Sequence, residues 1–136
     1  MKKLFSLHWN SSKQPRKQRK YRVNSPIHIQ RKFLAAPLTK ELRKKYGRRS
    51  VKLRKGDKVK ILVGQFKKKE GKIVGLNRKT SKVHIENIQL AKKDGSKAFY
   101  PIHASNLLVV ELTLDDKQRR KTLERKNGTS QTSTSA

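Results

Sequence analysis

The chain has 136 residues, of which 37 are Lys or Arg and 9 are Asp or Glu, giving a formal net charge of +28. This length allows one domain of ordinary size with tails, but not two full domains. With 32% hydrophobic residues and a mean hydropathy of −0.93, no stretch could span a membrane. Cysteine is absent, which excludes disulfides, thiolate zinc sites, iron–sulfur clusters and cysteine nucleophiles.

The first residues form a basic head like that of a signal peptide. The apolar run that follows is far shorter than the roughly 7–15 residues of an h-region. We therefore expect a cytoplasmic protein without a membrane anchor.

Positive charge is spread along the chain and does not form one removable tail. Residues 1–50 hold 16 basic and one acidic residue, residues 51–114 hold 15 and five, and residues 115–136 hold six and three. A protein with this excess attracts polyanions. A membrane-surface binder would pair a basic helix with a Trp, Phe or Leu face, whereas these basic runs alternate with Gln, Ser, Pro and Tyr. Composition therefore favours nucleic acid as the partner.

Residues 1–24 read as a basic arm that we expect to be extended. Half of the stretch 11–22 is Lys or Arg, and it has no apolar periodicity. Such a segment orders only against a partner that neutralises it, and fully extended it would reach on the order of 80 Å. A solubilising or targeting tail is the alternative interpretation.

Residues 25–50 predict two short helices. Ser25 and Pro26 form a start signal, in which an N-cap residue precedes proline at the first helical position. A second helix is predicted to begin at Thr39 and to end at Gly47. Each helix is too short to be stable alone, so both must dock on the rest of the chain.

Residues 51–114 carry the patterns of strands, separated by Gly, Asn and Asp turn signals. Four or five short strands in about 60 residues predict a small barrel and a mostly β fold. The candidate strands lie at 58–63, 73–76, 83–86, 99–102 and 107–114.

Residues 115–136 predict a helix followed by a tail. Asp115 can cap the helix, with Gln118 three residues later, and Gly128 can end it. The Ser- and Thr-rich residues 129–136 are expected to be disordered.

No catalytic constellation can be assembled from the sequence. His84 and Glu86 share a face of a predicted strand, but no third ligand follows at metal-site spacing. Gly71 and Lys72 are similar to the end of a phosphate-binding P-loop. However, Phe66 stands where the loop requires its first glycine, and Ile73 stands where it requires Ser or Thr. We expect neither an enzyme nor a metal or other cofactor.

The stretch RKGDKVKILVG at 54–64, continued by EGKIV at 70–74, resembles a KOW motif. The resemblance implies a β-hairpin with an obligatory glycine, here Gly71, inside an SH3-like barrel that contacts RNA. Gly56, Asp57 and Gly64 are the other positions of the motif with an expected structural role.

Further stretches carry a narrower resemblance that runs from about residue 11 to 126 with order and spacing kept. They are KQPRKQRK at 13–20, LTKELRKKYGRRS at 38–50, DG at 94–95, YPIHASN at 100–106 and LERK at 123–126. Together they are similar to the family of large-subunit ribosomal protein twenty-four in its archaeal form, numbered twenty-six in eukaryotes.

This resemblance implies a structural protein of the large ribosomal subunit that binds its rRNA. It also implies an early role in assembly, on the 5′ part of the large rRNA, and a position near the exit of the nascent-peptide tunnel. The expected partners are the rRNA, neighbouring large-subunit proteins and nascent-chain factors at the exit. We do not expect a homo-oligomer.

The sequence departs from the family pattern at two places. Lys68 and Lys69 follow Lys67 where a glycine is usual, and Ala104 stands where proline is common. A changed hairpin tip affects the expected local RNA contact there and leaves the expected fold intact.

Basic side chains in the arm, the two helices and the barrel loops are the candidate rRNA contacts, since Lys and Arg neutralise phosphates. For the lysines around the hairpin, the alternative interpretation is that they form a solvated surface without contacting RNA. Tyr21 could stack on an unpaired base or pack on the barrel. The candidates are Lys13, Arg16, Lys17, Arg19, Lys20, Tyr21, Arg22, Arg31, Lys32, Arg43, Lys44, Arg48, Arg49, Lys55, Lys67, Lys68, Lys69, Lys72, Arg78 and Lys79.

Three other functions stay open at this point. A KOW protein of the transcription machinery would travel with polymerase, although such proteins usually carry further domains. A small nuclease would need an acid–base pair, and a membrane-active peptide precursor would bind anionic vesicles.

Overall fold

The computed structural model describes residues 5, 6, 8 and 12–125. Within them lie four α-helices and nine strands. The helices are α1 (Pro15–Asn24), α2 (Ile27–Phe33), α3 (Lys40–Tyr46) and α4 (Lys117–Glu124). The strands are β1 (Ala35–Pro37), β2 (Ser50–Lys52), β3 (Lys58–Ile61), β4 (Glu70–Asn77), β5 (Lys82–Ile85), β6 (Gln89–Ala91), β7 (Lys97–Phe99), β8 (Ile102–His103) and β9 (Leu107–Glu111).

Five of the strands form one antiparallel sheet in the order β8-β5-β4-β3-β9. The eight-residue β4 is the longest strand; its first half pairs with β3 and its second half with β5. The pairing passes to β5 at Ile73, and the register of the β4–β5 pair shifts between Ile73 and Gly75. A register shift of this kind bends a strand, so β4 can belong to both halves of a curled sheet.

The sheet is curled because its two edge strands are consecutive in the chain. β8 and β9 are joined only by a 3₁₀ helix, Ala104–Asn106. Five flat strands about 4.8 Å apart would put the outer two roughly 19 Å apart. Three residues of 3₁₀ helix rise only about 6 Å. The edges must therefore approach each other, as in the small barrel-like KOW domain that the sequence predicts.

The hydrophobic core lies inside this curl and extends to the segment before it. Val59, Ile61, Val83 and Ile85, which alternate with polar or exposed positions along β3 and β5, are fully buried. Residues 34, 36 and 38, around β1, belong to the same cluster. β1 pairs with β2, and the backbone N–H of Thr39 donates to the carbonyl of Val109 at 3.1 Å. The helical segment and the barrel thus share one core.

The segment before α2 is helical, whereas the sequence patterns predicted an extended arm. α1 spans Pro15–Asn24 and buries none of its residues. Lys, Arg and Gln are good helix formers, and Pro15 occupies the first turn, where its missing N–H costs nothing. The side chain of Gln18 also donates to the carbonyl of Ser12 at 2.9 Å. Local propensity therefore decides the conformation of a segment that has no apolar periodicity.

Helix α3 begins at Lys40 with Thr39 as its N-cap, one residue after the predicted start, and Gly47 is its C-cap in the left-handed conformation with φ 59°. Strand β3, however, ends at Ile61, and Val63 is 61% exposed. The prediction that Val63 continues the half-buried pattern is wrong, because the chain turns at Gly64 with φ 103°.

The predicted C-terminal helix is present as α4, but Asp116 caps it in place of the predicted Asp115. Helix α2 begins one residue later than predicted, with Pro26 as its N-cap. Helix α4 ends at Glu124 with Arg125 as its C-cap, so the prediction that the helix runs to Gly128 is wrong. The predicted tail at 129–136 lies outside the described residues.

Candidate nucleic-acid interface

A cleft of ≈ 880 Å³ opens between α2, β2, the end of β4 and α4. Its floor is apolar and includes Leu34, Val51 and Leu76. Its walls are basic and come from segments that are far apart in the sequence. No residue among the described ones that line it is acidic.

Eight basic residues line the cleft. Arg31 and Lys32 come from α2, and Lys52, Arg54 and Lys55 come from β2 and the turn after it. Arg48, Arg78 and Arg119 complete the wall. So many like charges around one concavity repel one another, and they raise the local concentration of anions.

A buried ion pair fixes α4 against the sheet and so closes one side of the cleft. Arg119 is 5% exposed and Asp57 is fully buried. Both terminal nitrogens of Arg119 bind the carboxylate, Nη1 to Oδ1 at 2.6 Å and Nη2 to Oδ2 at 2.7 Å. A bidentate pair of this kind fixes both distance and orientation.

The same ion pair ties together three backbone segments. The carboxylate of Asp57 also accepts from the backbone N–H of Arg54 at 2.9 Å and of Thr113 at 3.1 Å. Arg119 donates to the carbonyls of Thr113 at 2.8 Å and Lys52 at 3.2 Å. With the lone pairs of the carboxylate and the terminal donors of the guanidinium used, two buried charges are accommodated in the fold.

Two guanidinium nitrogens in the cleft wall are buried without a hydrogen-bond acceptor among the described residues. They are Nε of Arg48 and Nε of Arg119. Arg48 also donates through Nη2 to the carbonyl of Thr122 in α4, so its side chain joins the end of α3 to α4. Both nitrogens are buried, so a ligand in the cleft would not reach them.

The N-terminus of α4 is held by a second acidic residue. Asp116 Oδ1 accepts from the backbone N–H of Gln118 at 2.8 Å, and its other oxygen pairs with Arg54. The hydrogen bond from Arg54, reinforced by that from Gln118, holds the pKa of Asp116 below its usual value. The charged form of Asp116 therefore supports the docking of α4, and this support is lost as the pH falls through its lowered pKa.

Other ion pairs lie on β3, away from the cleft. Lys58 Nζ is 3.0 Å from Glu111 Oε1, and Lys60 Nζ is 3.2 Å from Glu70 Oε1. The hydrogen bond and charge of Glu111 raise the pKa of Lys58. These lysines are partly neutralised by neighbours in the sheet, whereas Arg31, Lys52 and Arg78 of the cleft have no carboxylate partner in the described part of the chain.

The structure brings together five of the residues proposed from the sequence as rRNA contacts. They are Arg31, Lys32, Arg48, Lys55 and Arg78, all in the wall of the cleft. Lys79 is exposed in the turn that follows β4, next to Arg78 but outside the cleft lining.

The candidates in α1 form a separate basic surface. The helix exposes basic side chains along its length, and Lys13 lies just before it. Tyr21 is half-buried, with its ring 4.8 Å from that of Phe5 and 6.2 Å from that of Phe33. It therefore packs on α2 and the N-terminal segment. The exposed candidates of α1 are Arg16, Lys17, Arg19, Lys20 and Arg22.

The loop between β3 and β4 presents a third basic surface. Lys67, Lys68 and Lys69 are exposed in it, and Lys72 lies on β4. Lys69 Nζ lies 5.3 Å from the centre of the Phe66 ring. Lys68 adopts φ 72°, a left-handed conformation that favours glycine, at the position where the resembled family usually has one.

The candidates near the end of α3 do not join the cleft, apart from Arg48. Arg43 Nε donates to the carbonyl of Leu38 at 2.7 Å, so part of its guanidinium is used inside the protein. Lys44 and Arg49 do not line the cleft.

The glycines of the KOW motif occupy two kinds of position. Gly56 and Gly64 have φ 88° and 103°, in turns on either side of β3. Gly71 has no positive φ; a Cβ there would lie 2.7 Å from Ile85 Cγ2 and 2.8 Å from the carbonyl oxygen of Glu86. Glycine is needed at this position because β5 approaches too closely to leave room for a side chain.

Sequence reasoning missed Lys52, Arg54 and Arg119 as parts of this site. No local pattern marks them, because each is a basic residue among many. The spacing of Arg119 four residues before Leu123, which is also buried, was the one available sign that this face of α4 points inward.

Within the described ranges, no group of three or more His, Asp or Glu side chains could hold a metal ion. Of the described helices, none is both long and apolar enough to cross a bilayer.

A family model for the ribosomal proteins numbered L26 in eukaryotes, together with their archaeal counterparts numbered twenty-four, matches residues 12–126. The chain belongs to this family. It is also 42% identical over 115 residues to the large ribosomal subunit protein uL24 of Korarchaeum cryptofilum, covering 85% of this chain and 88% of that protein. Members of the family are proteins of the large subunit of the cytoplasmic ribosome.

Proposed function

We propose that this member of the L26 family is a structural constituent of the large subunit that binds the subunit's rRNA through phosphate contacts. The observation that carries the proposal is the cleft of ≈ 880 Å³ with eight basic residues in its wall. Arg54 and Arg119 are paired with Asp116 and Asp57. The other six basic side chains of the lining have no carboxylate partner among the described residues, so their charge is available to an external anion. A phosphate backbone supplies closely spaced anions in the arrangement that such a wall can neutralise.

The two other basic surfaces extend the proposed contact. The exposed face of α1 and the loop between β3 and β4 carry further Lys and Arg. Surfaces on separate elements can contact several segments of a folded RNA at once, which suits a protein that organises rRNA during assembly.

The finer roles are proposed from the resemblance to the family. We propose that the protein acts early in assembly on the 5′ part of the large rRNA and lies near the tunnel exit, where neighbouring large-subunit proteins and nascent-chain factors contact it. We also propose that it has no catalytic role and that it does not form homo-oligomers.

Sedimentation of a cell lysate through a sucrose gradient, followed by a salt wash of the ribosomal fractions, tests the proposal. The protein should travel with the large subunit and resist moderate salt, because many phosphate contacts are made at once. A protein that stays at the top of the gradient would contradict rRNA binding. A protein that leaves with polymerase would favour a role in transcription.

A further inference from the structure

We propose that the cleft binds an unpaired stretch of RNA in preference to the outside of a duplex. The phosphates of that stretch would contact the basic rim, and its bases would enter the cleft. This inference rests on the proposed function and specifies the form of RNA that the site takes.

The charge that is left unpaired in the wall is the first reason. Arg119 is 5% exposed and is paired with Asp57, so it is not available to a ligand. Arg31 and Arg78 are exposed residues of the lining, and neither has a carboxylate partner among the described residues. Such side chains can contact the phosphates of a strand whose bases lie in the cleft.

The shape of the cleft is the second reason. A concavity of ≈ 880 Å³ is within the range of about 300–1,000 Å³ that is typical of ligand pockets. An RNA duplex presents a wide, shallow minor groove, and its bases are stacked on one another, so their faces cannot enter a cleft. A duplex could contact Arg31 and Arg78 at the rim, but an unpaired strand is thin enough to enter.

The chemistry of the lining is the third reason. Unpaired bases are commonly held by stacking on arginine guanidinium planes as well as on aromatic rings. Of the arginines in the wall, Arg31 and Arg78 are exposed and have no carboxylate partner among the described residues. The half-buried Val51 and Leu76 of the floor offer apolar contact to the face of a base. A site that bound only phosphate would not need an apolar floor.

The test uses the full-length protein and two probes: a short unpaired RNA oligonucleotide, and the same strand annealed to its complement. A cleft variant carries Arg31→Gln, Lys52→Gln and Arg78→Gln, all at exposed positions of the lining. A control variant carries Lys92→Gln, Lys93→Gln and Lys97→Gln in and beside the β6–β7 hairpin, with the same loss of charge outside the cleft. Circular dichroism confirms that each variant is folded.

The natural protein should bind the unpaired strand about tenfold more tightly than the duplex, and the cleft variant should lose about that factor for the unpaired strand alone. The control variant should retain the preference. Equal binding of both probes, or equal losses in both variants, would overturn the inference and leave phosphate-mediated rRNA binding intact. Failure of the natural protein to bind either probe would count against the proposed function as well.

Discussion

At the scale of single residues, Gly71 shows how closely two strands approach. A Cβ at this position would lie 2.7 Å from a side-chain methyl of Ile85 and 2.8 Å from the carbonyl oxygen of Glu86. The carbonyl belongs to the backbone and cannot move alone, so the pairing of β4 with β5 would have to shift.

We expect Gly71→Ala to lower the free energy of unfolding by about 1–3 kcal/mol, the usual cost of overpacking. Urea denaturation followed by circular dichroism measures it. Gly75→Ala is the matched control, because the nearest atom to a Cβ at Gly75 is His84 Cδ2 at 3.5 Å. Equal midpoints for the two variants would show that the close approach at Gly71 is unimportant.

Lys68 is the residue at which a departure from the family pattern has a visible backbone consequence. Its φ of 72° costs an L-residue about 1–2 kcal/mol, whereas glycine adopts it freely. The backbone N–H of Lys68 donates to the carbonyl of Ile61 at 2.9 Å, which holds the residue in this conformation.

Lys68→Gly should therefore stabilise the protein by about 1 kcal/mol, after the greater flexibility of an unfolded chain with an added glycine is deducted. The midpoint of urea unfolding is again the measurement. Lys67→Gly removes the same charge at a neighbouring position without positive φ, and it should not stabilise. If both variants gained equally, relief of charge repulsion and not of backbone strain would be the cause.

At the scale of elements, α4 depends on one buried guanidinium. Removing Arg119 would leave the carboxylate of Asp57, which is fully buried, without its cation. The two backbone donors from Arg54 and Thr113 would remain, but they cannot neutralise the charge.

Arg119→Met should lower the free energy of unfolding by about 3–5 kcal/mol, as removal of one partner of a buried ion pair does. Arg120→Met is the control on the same helix, since Arg120 is exposed. Comparable unfolding midpoints in urea for the two variants would contradict a role of the pair in docking α4.

Helix α1 allows a test of its charge without loss of its conformation. Alanine is the best helix former, so replacing Arg16, Lys17, Arg19 and Lys20 by alanine should preserve the helix. If all four contact rRNA phosphates, the slope of log K for RNA binding against log salt should become less negative by about 3. Filter binding of an rRNA fragment at several salt concentrations measures it. An unchanged slope would remove α1 from the proposed interface.

At the scale of the whole molecule, the hydrophobic periodicity of the sequence predicted those strands in which buried and exposed residues alternate. Val59, Ile61, Val83 and Ile85 were predictable because a strand with one buried face must repeat every two residues. The start of α3 beside Thr39 was predictable because the signals of a helix start are local, although the Thr39 side chain makes no capping hydrogen bond.

The cleft could not be predicted in the same way. Its wall combines side chains from α2, β2, β4 and α4, and only the three-dimensional packing of these elements brings them together. Arg119 was missed because arginine is almost never fully buried unless it is paired, and its partner lies 62 residues earlier. The resemblance to a family supplied the expected fold and class of function but not this pairing.

Asp57 and Arg119 lie 62 residues apart in the sequence, so during synthesis the chain contains Asp57 well before it contains Arg119. A chain made at about 5–20 residues per second exposes residue 119 roughly 3–12 seconds after residue 57. Until then the carboxylate has no cation, α4 does not exist, and one side of the cleft is open. The basic residues of α1 are made first, so a growing chain can meet RNA through its N-terminal charge before the cleft is complete.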